Sequence, residues 1–135
     1  MTLATTLTAL LGLGVAAQGV PGGWQFPPDA ETVANPLAAT EEVLARGRRL
    51  YQSRCQRCHG SLGKGDGPEA DPDRKPGDLS DRARASRNPD GIIFYKVWNG
   101  RRNPTMPAFK TEMERDDVWA VVHYVKTLRA TPIFE

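Results

Sequence analysis

Cysteine, histidine and aromatic residues are scarce in this chain of 135 residues. It has two cysteines and two histidines, and aromatic residues make up 7% of it, whereas glycine occurs 13 times and proline 11 times. Such a composition favours helices joined by long irregular connections, which a small aromatic core alone does not stabilise. A large buried cofactor would supply the missing apolar surface.

Nucleic acid is excluded as a partner, because the basic residues are not interleaved with aromatic ones. The net charge is only +2, but its distribution is uneven. Acidic residues gather near the C-terminal end. Arginines gather around the cysteine pair, at Arg46, Arg48, Arg49, Arg54 and Arg57. These arginines form either a solvated helix face or a docking patch for a partner with an acidic face.

The chain has no run of alternating β-branched residues, so the predicted fold class is all-α with long loops. The first helix is predicted to begin after the N-cap Thr40 and to run, with one apolar face, into Cys55. A second, short helix is predicted with Asp90 as its cap and Gly100 as its terminator.

The last helix has the clearest pattern. Thr111 and Glu114 form a capping-box pattern, acidic residues fill the first turn, and Lys126 and Arg129 occupy the last turn. Its predicted buried stripe consists of Val118, Val121, Val122, Val125 and Leu128. The length of the chain allows one compact domain.

The first 17 residues are predicted to be a signal peptide that is cleaved after Ala17. Residues 3–17 are apolar and uncharged, and Val15 and Ala17 fit the small-residue rule of signal peptidase. An uncleaved membrane anchor is the alternative, although a bilayer-spanning helix needs roughly 20 residues. Residues 18–39 form a Pro/Gly-rich N-terminal extension, expected to be loosely ordered, in which Trp24 and Phe26 are the candidate packing residues. Residues 40–135 form the domain.

Cys55, Cys58 and His59 stand in the run Cys-Gln-Arg-Cys-His, for which three chemistries compete. A dithiol redox centre needs a preceding strand, whereas these cysteines follow a helix. A structural zinc ion needs four ligands, and the other candidates are His123 and distant carboxylates. Covalent haem attachment, for which Cys-x-x-Cys-His is the signature, fits best. It also commits both thiols as thioethers, so an exported chain keeps no free pair.

In this interpretation the two sulfurs bind the vinyl groups of one haem c, and His59 is the proximal iron ligand. Met106, in a segment stiffened by two prolines, is the predicted distal ligand. His/Met ligation raises the reduction potential and leaves the iron no vacancy for a substrate. Met113 and His123 on the last helix are the rival ligands.

Taken together, the stretch from Thr40 to Leu128 resembles a class I c-type cytochrome of the small bacterial monohaem type. The resemblance includes "GKGDGP" after the haem motif, "PGDL" and the closing "VWAVVHYVKTL". It implies the cytochrome c fold, with three to five helices and long loops wrapped around one covalently bound haem. In that fold the first and last helices cross closely, and the residues it places at the crossing are Gly47, Tyr51, Val121 and Tyr124.

The resemblance also implies which residues surround the haem. A backbone carbonyl of the "KPGDL" segment is expected to accept the Nδ1 proton of His59 and fix its tautomer. Arg101, Arg102 and Trp98 are expected near the propionates. The porphyrin faces are expected among Leu79, Ile93, Val97, Met106 and Phe109.

The predicted function is that of a single-electron carrier, not an enzyme, that shuttles electrons between exported or membrane-bound redox proteins and has no small-molecule substrate. Its expected location is the bacterial periplasm or, with an uncleaved leader, the outer face of the inner membrane. Membrane association is otherwise expected only through a redox complex. Two alternatives stay open: a permanently docked haem subunit of a larger oxidoreductase, and a haem catalyst or gas sensor with a labile distal ligand.

Overall fold

The computed structural model describes residues 23–103 and 105–129, and within these ranges it contains helices and no strand. The elements are α1 (Glu41–Arg54), α2 (Gln56–His59), a 3₁₀ helix (Arg82–Arg87), α3 (Asp90–Asn99) and α4 (Arg115–Thr127). The prediction of an all-α fold with three to five helices is confirmed. The predicted signal peptide, residues 1–17, lies outside the described residues. No helix in the described ranges is long and apolar enough to cross a bilayer.

The first helix begins and ends where its sequence predicts. The Thr40 side chain accepts a hydrogen bond from the backbone N–H of Val43 at 3.2 Å, which satisfies one of the free donors of the first turn. At the other end, the N–H of Cys55 donates to the carbonyl of Tyr51 at 2.8 Å. The cysteine motif therefore starts at the C-terminus of α1.

Two predicted caps are wrong by a few residues. Asp90 is the first residue of α3 and follows the N-cap Pro89. The capping box of α4 is formed by Glu114 and Asp117, so this helix begins at Arg115. The residues before Glu114 form a separate turn instead, because the N–H groups of Glu112 and Met113 both donate to the carbonyl of Phe109 at 2.9 Å.

The pairing of α1 with α4 organises the domain, and the predicted crossing residues meet there. A Cβ atom on Gly47 would lie 2.1 Å from the carbonyl oxygen of Ala120 and 3.1 Å from Cβ of Tyr124. The rings of Tyr51 and Tyr124 contact each other with centroids 5.2 Å apart, and Val121 is buried. Only glycine permits this approach of the two backbones.

The core lies between this helix pair and α3. The Phe94 ring is fully buried and stacks on Trp119, with centroids 4.1 Å apart, and on Trp98 at 5.6 Å. Aromatic stacking of this kind stabilises a core beyond the area it buries. The buried members around it are Ile93, Val97, Phe109, Met113, Val118, Val121, Val122 and Val125.

The N-terminal extension is docked, contrary to the expectation that it is loosely ordered. We call residues 23–39 the docked arm. Ala30 is buried, and the Asn35 side chain donates to the carbonyl of Trp119 at 2.9 Å. The carbonyl of Leu37 lies 2.8 Å from Nε2 of His123. The sequence indicated a tether because these anchoring contacts join segments more than 80 residues apart.

Candidate haem site

A single helical turn presents the three motif residues. Cys55 is the C-cap of α1 and also the N-cap of α2. Its carbonyl accepts hydrogen bonds from the N–H groups of Cys58, at 3.1 Å, and His59, at 2.9 Å. The turn therefore holds two sulfurs and one imidazole close together at the end of a long, well-packed helix.

The loop after the motif folds back and fixes this turn. The N–H of Gly65 donates to the carbonyl of His59 at 2.8 Å, and the N–H of Gly67 donates to that of Cys58 at 3.1 Å. The buried hydroxyl of Tyr51 donates to the carbonyl of Gly60 at 2.7 Å. These bonds satisfy the carbonyl groups that the end of a helix leaves unpaired, so the "GKGDGP" segment has a structural role in holding the motif.

The backbone of Met106 is fixed by hydrogen bonds to the residue that follows the end of α3. Arg101 and Met106 form an antiparallel bridge in which both N–H groups donate at 2.8 Å. Gly100 ends α3 with φ 62°, and a Cβ there would lie 2.4 Å from the carbonyl oxygen of Met106. The N–H of Phe109 then donates to Val97 at 3.1 Å. The backbone of the Met106 segment is thus fixed against α3; Pro104 lies outside the described residues.

Cys55, His59 and Met106 line one cavity of about 550 Å³. This volume is in the range of pockets that enclose a cofactor-sized ligand. A smaller cavity of about 100 Å³ adjoins the same three residues and adds Cys58. The apolar walls of the large cavity are Leu79, Ile93, Val97, Val121 and Val125, and Phe109 lines the small one. The structure therefore brings together all four predicted site residues, although they come from two separate segments.

Burial sets the protonation states of the motif. It raises the pKa of the Cys55 thiol to about 12, with the neighbouring Cys58 side chain as a second, smaller cause and Arg57 opposing both. A thiol of this kind stays protonated at neutral pH, which does not favour a reactive dithiol centre. Burial also lowers the pKa of His59. The imidazole is neutral at neutral pH, as a metal ligand must be.

His59 carries a buried ring nitrogen without a partner. Nδ1 has no hydrogen-bond acceptor within normal geometry, although the Gly77 backbone is close enough to oppose the fall in the pKa of His59. Residues 75–79, which include the predicted "PGDL" segment, line the cavity beside the ring. The predicted segment therefore lies close to the His59 ring, but the predicted hydrogen bond from Nδ1 to one of its carbonyl groups is not formed.

One end of the large cavity is cationic. Arg101 lines it as predicted, but Trp98 stacks in the core and Arg102 is exposed, so neither lines the cavity. The other cations there are Lys96, Arg84 and Arg129, which the sequence analysis did not single out. Burial lowers the pKa of Lys96, and repulsion from Arg101, Arg84 and Arg129 adds to this effect. Nε of Arg129 is buried without a partner. Asp81 also lines the cavity and pairs with Arg84 at 3.3 Å, so one carboxylate offsets part of a cationic group that favours an anionic ligand.

The two rival ligands are engaged elsewhere. Met113 is 8% exposed and belongs to the apolar core. His123 contacts the carbonyl of Leu37 in the docked arm. Neither residue lines either cavity. Among the sulfur and imidazole groups of the described residues, the cavity is lined by those that the motif and Met106 supply.

The residues present fit a haem c. Two sulfurs and a neutral imidazole lie on one turn, a thioether lies on another wall of the same cavity, and cations line one end, where carboxylates would be neutralised. A helical domain with this site is a c-type cytochrome. The family model described as Cytochrome c matches residues 44–129. The chain belongs to the cytochrome c family, which implies covalent haem and haem-based electron transfer.

The chain is also similar to two solved structures. A chain of the "reducing HAO-like protein complex Kustc0457/Kustc0458" of Kuenenia stuttgartiensis is 32% identical, with a TM-score of 0.59 over 69% of this chain. The present chain covers 46% of that chain, less than half its length. The "KustC0563 c-type cytochrome" is 26% identical, with a TM-score of 0.50, and the match covers 62% of this chain and 98% of that one. No curated protein matches the chain.

Proposed function

We propose that this protein is a single-electron carrier whose haem c is bound through Cys55 and Cys58 and ligated axially by His59 and Met106. The observation that carries the proposal is that His59 and Met106, which are far apart in the sequence, line one cavity next to Cys55. When bound, the haem supplies an iron that alternates between the ferrous and ferric states. The chain supplies the attachment, both ligands and a low-dielectric enclosure.

Each ligand has a distinct role. The neutral imidazole of His59 keeps one ring nitrogen available for a metal, because burial disfavours its protonated form. The thioether of Met106 favours the reduced state and so raises the reduction potential. If His59 and Met106 both held the iron, no position would be left open to a substrate, and this arrangement would suit a carrier better than a catalyst or gas sensor.

Replacement of Met106 tests the proposal. Met106→Ala should open the distal position, so that ferric protein binds cyanide and ferrous protein binds carbon monoxide, whereas the unmodified protein binds neither without unfolding. The reduction potential should fall, because the thioether no longer favours the reduced state. Visible spectra and a spectroelectrochemical titration measure both effects.

Met113→Leu is the matched control for this experiment, since it changes the buried core methionine and should leave spectrum and potential unchanged. An unchanged spectrum and potential in Met106→Ala would refute the ligand assignment. Carbon monoxide binding by the unmodified protein would favour the catalyst or sensor instead.

The route for electrons is proposed at the small cavity beside Cys58. Within the described residues its lining contains cations and no carboxylate, the cations being Arg54, Arg57, Arg74, Lys75 and Arg101. Three of them form exposed ion pairs with Glu112, Glu69 and Asp71. Such surface pairs are weak, so these arginines are available to a partner with an acidic face. Arg46 pairs with Asp117 away from this edge.

Electron exchange should therefore depend on ionic strength in opposite directions for probes of opposite charge. Added salt should slow oxidation by anionic ferricyanide and speed oxidation by cationic tris(phenanthroline)cobalt(III). The double variant Arg54→Gln/Arg57→Gln should lower the low-salt rate with ferricyanide several-fold. Stopped-flow kinetics at a series of salt concentrations measure this.

The double variant Arg48→Gln/Arg49→Gln is the matched control, because it removes the same charge from exposed positions of α1 that line neither cavity. Equal effects of the two double variants would show that only net charge matters.

The cellular setting is a proposal that rests on the sequence. An apolar leader and a haem motif that requires thioether formation support export to the periplasm, or anchoring on the outer face of the inner membrane. Because the similar Kuenenia stuttgartiensis chain belongs to a protein complex, a permanently docked haem subunit is the second candidate. Gel filtration of native extract separates a free carrier, which elutes near 15 kDa, from such a subunit.

A further inference from the structure

The docked arm reaches the haem cavity although it precedes the region that the family model matches. That region begins at residue 44, whereas Trp24 lines both the large and the small cavity. The arm is therefore a part of the cavity wall that belongs to this chain and is absent from the matched family region.

Trp24 contacts two of the cations at the cationic end of the cavity. Cζ of Arg101 lies 4.3 Å from the centroid of its ring, and Nζ of Lys96 lies 5.2 Å from it. Both distances are in the range of cation–π attraction. Lys96 also donates a hydrogen bond to Asn88. The indole ring thus lies against two of the cations that line the cavity.

Three contacts hold Trp24 in this place. The Asn99 side chain, at the end of α3, donates to the carbonyl of Gln25 at 3.1 Å. The turn of the arm at Ala30 lies against the start of α3, where a Cβ on Gly91 would be 2.1 Å from the Ala30 carbonyl oxygen and 2.8 Å from Cβ of Val33. The arm that carries the indole is therefore packed closely against Gly91, a glycine outside the cavity lining.

We infer that Trp24 is a positioning residue that closes the cationic end of the haem cavity and holds Lys96 and Arg101 against the porphyrin carboxylates. This inference rests on the proposed function, because it needs a bound haem. Cations held near the carboxylates and exclusion of water both disfavour the additional positive charge of the ferric state. The docked arm therefore raises the reduction potential.

The experiment uses the holoprotein from a strain with cytochrome c maturation, with the reduction potential as its readout. Trp24→Ala should shift the equilibrium toward the oxidised protein by about threefold, equivalent to about 30 mV at 59 mV per tenfold change. Trp24→Phe should restore most of the potential, since it retains an aromatic face. Phe26→Ala is the matched control on the same arm, where the ring is 39% exposed and lines neither cavity, and it should leave the potential unchanged.

Gly91→Ala provides a second test, because the new Cβ would meet the Ala30 carbonyl and Val33 of the arm while Trp24 itself is kept; an unchanged haem spectrum in this variant would show that α3, which carries Lys96, has not moved. This variant should lower the potential as Trp24→Ala does. An unaltered potential in Trp24→Ala with haem attached would overturn the inference, as would an equal shift in Phe26→Ala. Failure of the unmodified protein to attach haem would instead overturn the proposed function, so the two failures are distinguishable.

Discussion

Replacement of both Cys55 and Cys58 with serine is expected to give a colourless protein with no covalently bound haem. These residues are the two cysteines of the chain, so no other thiol can form a thioether. The effect on folding should be equally large. Without the haem, a cavity of about 550 Å³ is left between the helices, and a large cavity of this kind destabilises a domain whose whole stability is only about 5–15 kcal/mol.

The apoprotein is therefore expected to collapse or unfold, since the walls around Val97, Val121 and Val125 lose the group they enclose. Intact mass measures attachment, and far-ultraviolet circular dichroism measures helix content. The single variants Cys55→Ser and Cys58→Ser are the controls, because each keeps one sulfur for a single thioether. Haem that remained bound to the double variant after denaturation and acid–acetone extraction would refute attachment through these sulfurs.

The haem motif and its supporting helix could be predicted because their signals are local. Thr40 caps a helix whose apolar face runs into Cys55, and the structure places both as predicted. The place of Met106 in the cavity wall could be predicted as well, since this residue follows the end of a short helix in a Pro-flanked segment; its role as an iron ligand stays a prediction. The helix crossing was implied by the resemblance to class I c-type cytochromes, and Gly47 agrees with it, because a mid-helix glycine costs roughly 1 kcal/mol relative to alanine and needs a packing reason.

The cationic end of the cavity could not be predicted, because its members converge only in the folded chain. Lys96 lies on α3, Arg129 follows α4, and Arg84 lies on a 3₁₀ helix that gave no periodic signal. One sequence signal for Lys96 was available. This residue lies three residues after Ile93 and next to Val97, both of which were expected at the porphyrin, so it shares their side of α3, and all three line the cavity. Residues on one helix face share their surroundings.

The docked arm was misjudged for a related reason. A Pro/Gly-rich segment without periodicity favours a tether, and its anchors depend on partners such as Trp119 and His123 at the far end of the chain. Gly91 was a weak local signal, because glycine in the first turn of a helix allows another backbone to approach. Trp24 was a second signal, since a tryptophan in such a segment is a candidate for packing and this one lines the haem cavity.

The second large effect is expected at the α1–α4 crossing, where Gly47→Ala should destabilise the holoprotein by about 2 kcal/mol or more. Helix propensity alone predicts a gain of about 1 kcal/mol for this change. The new Cβ, however, would lie 2.1 Å from the backbone oxygen of Ala120, well inside the normal C···O distance of about 3.3 Å. The two helices must separate, and overpacking of this kind costs typically 1–3 kcal/mol and occasionally more.

Ala45→Gly is the matched control, two residues earlier on the exposed face of α1. Propensity predicts opposite signs for the two variants, whereas the close crossing predicts that both destabilise and that Gly47→Ala does so more. Denaturant unfolding of ferric holoprotein gives the two free energies. Because Val121 and Val125 of α4 also line the haem cavity, separation of the helices should alter the haem spectrum in Gly47→Ala and not in Ala45→Gly. A Gly47→Ala protein that is more stable by about 1 kcal/mol, as propensity requires, would show that the helices do not approach closely at this residue.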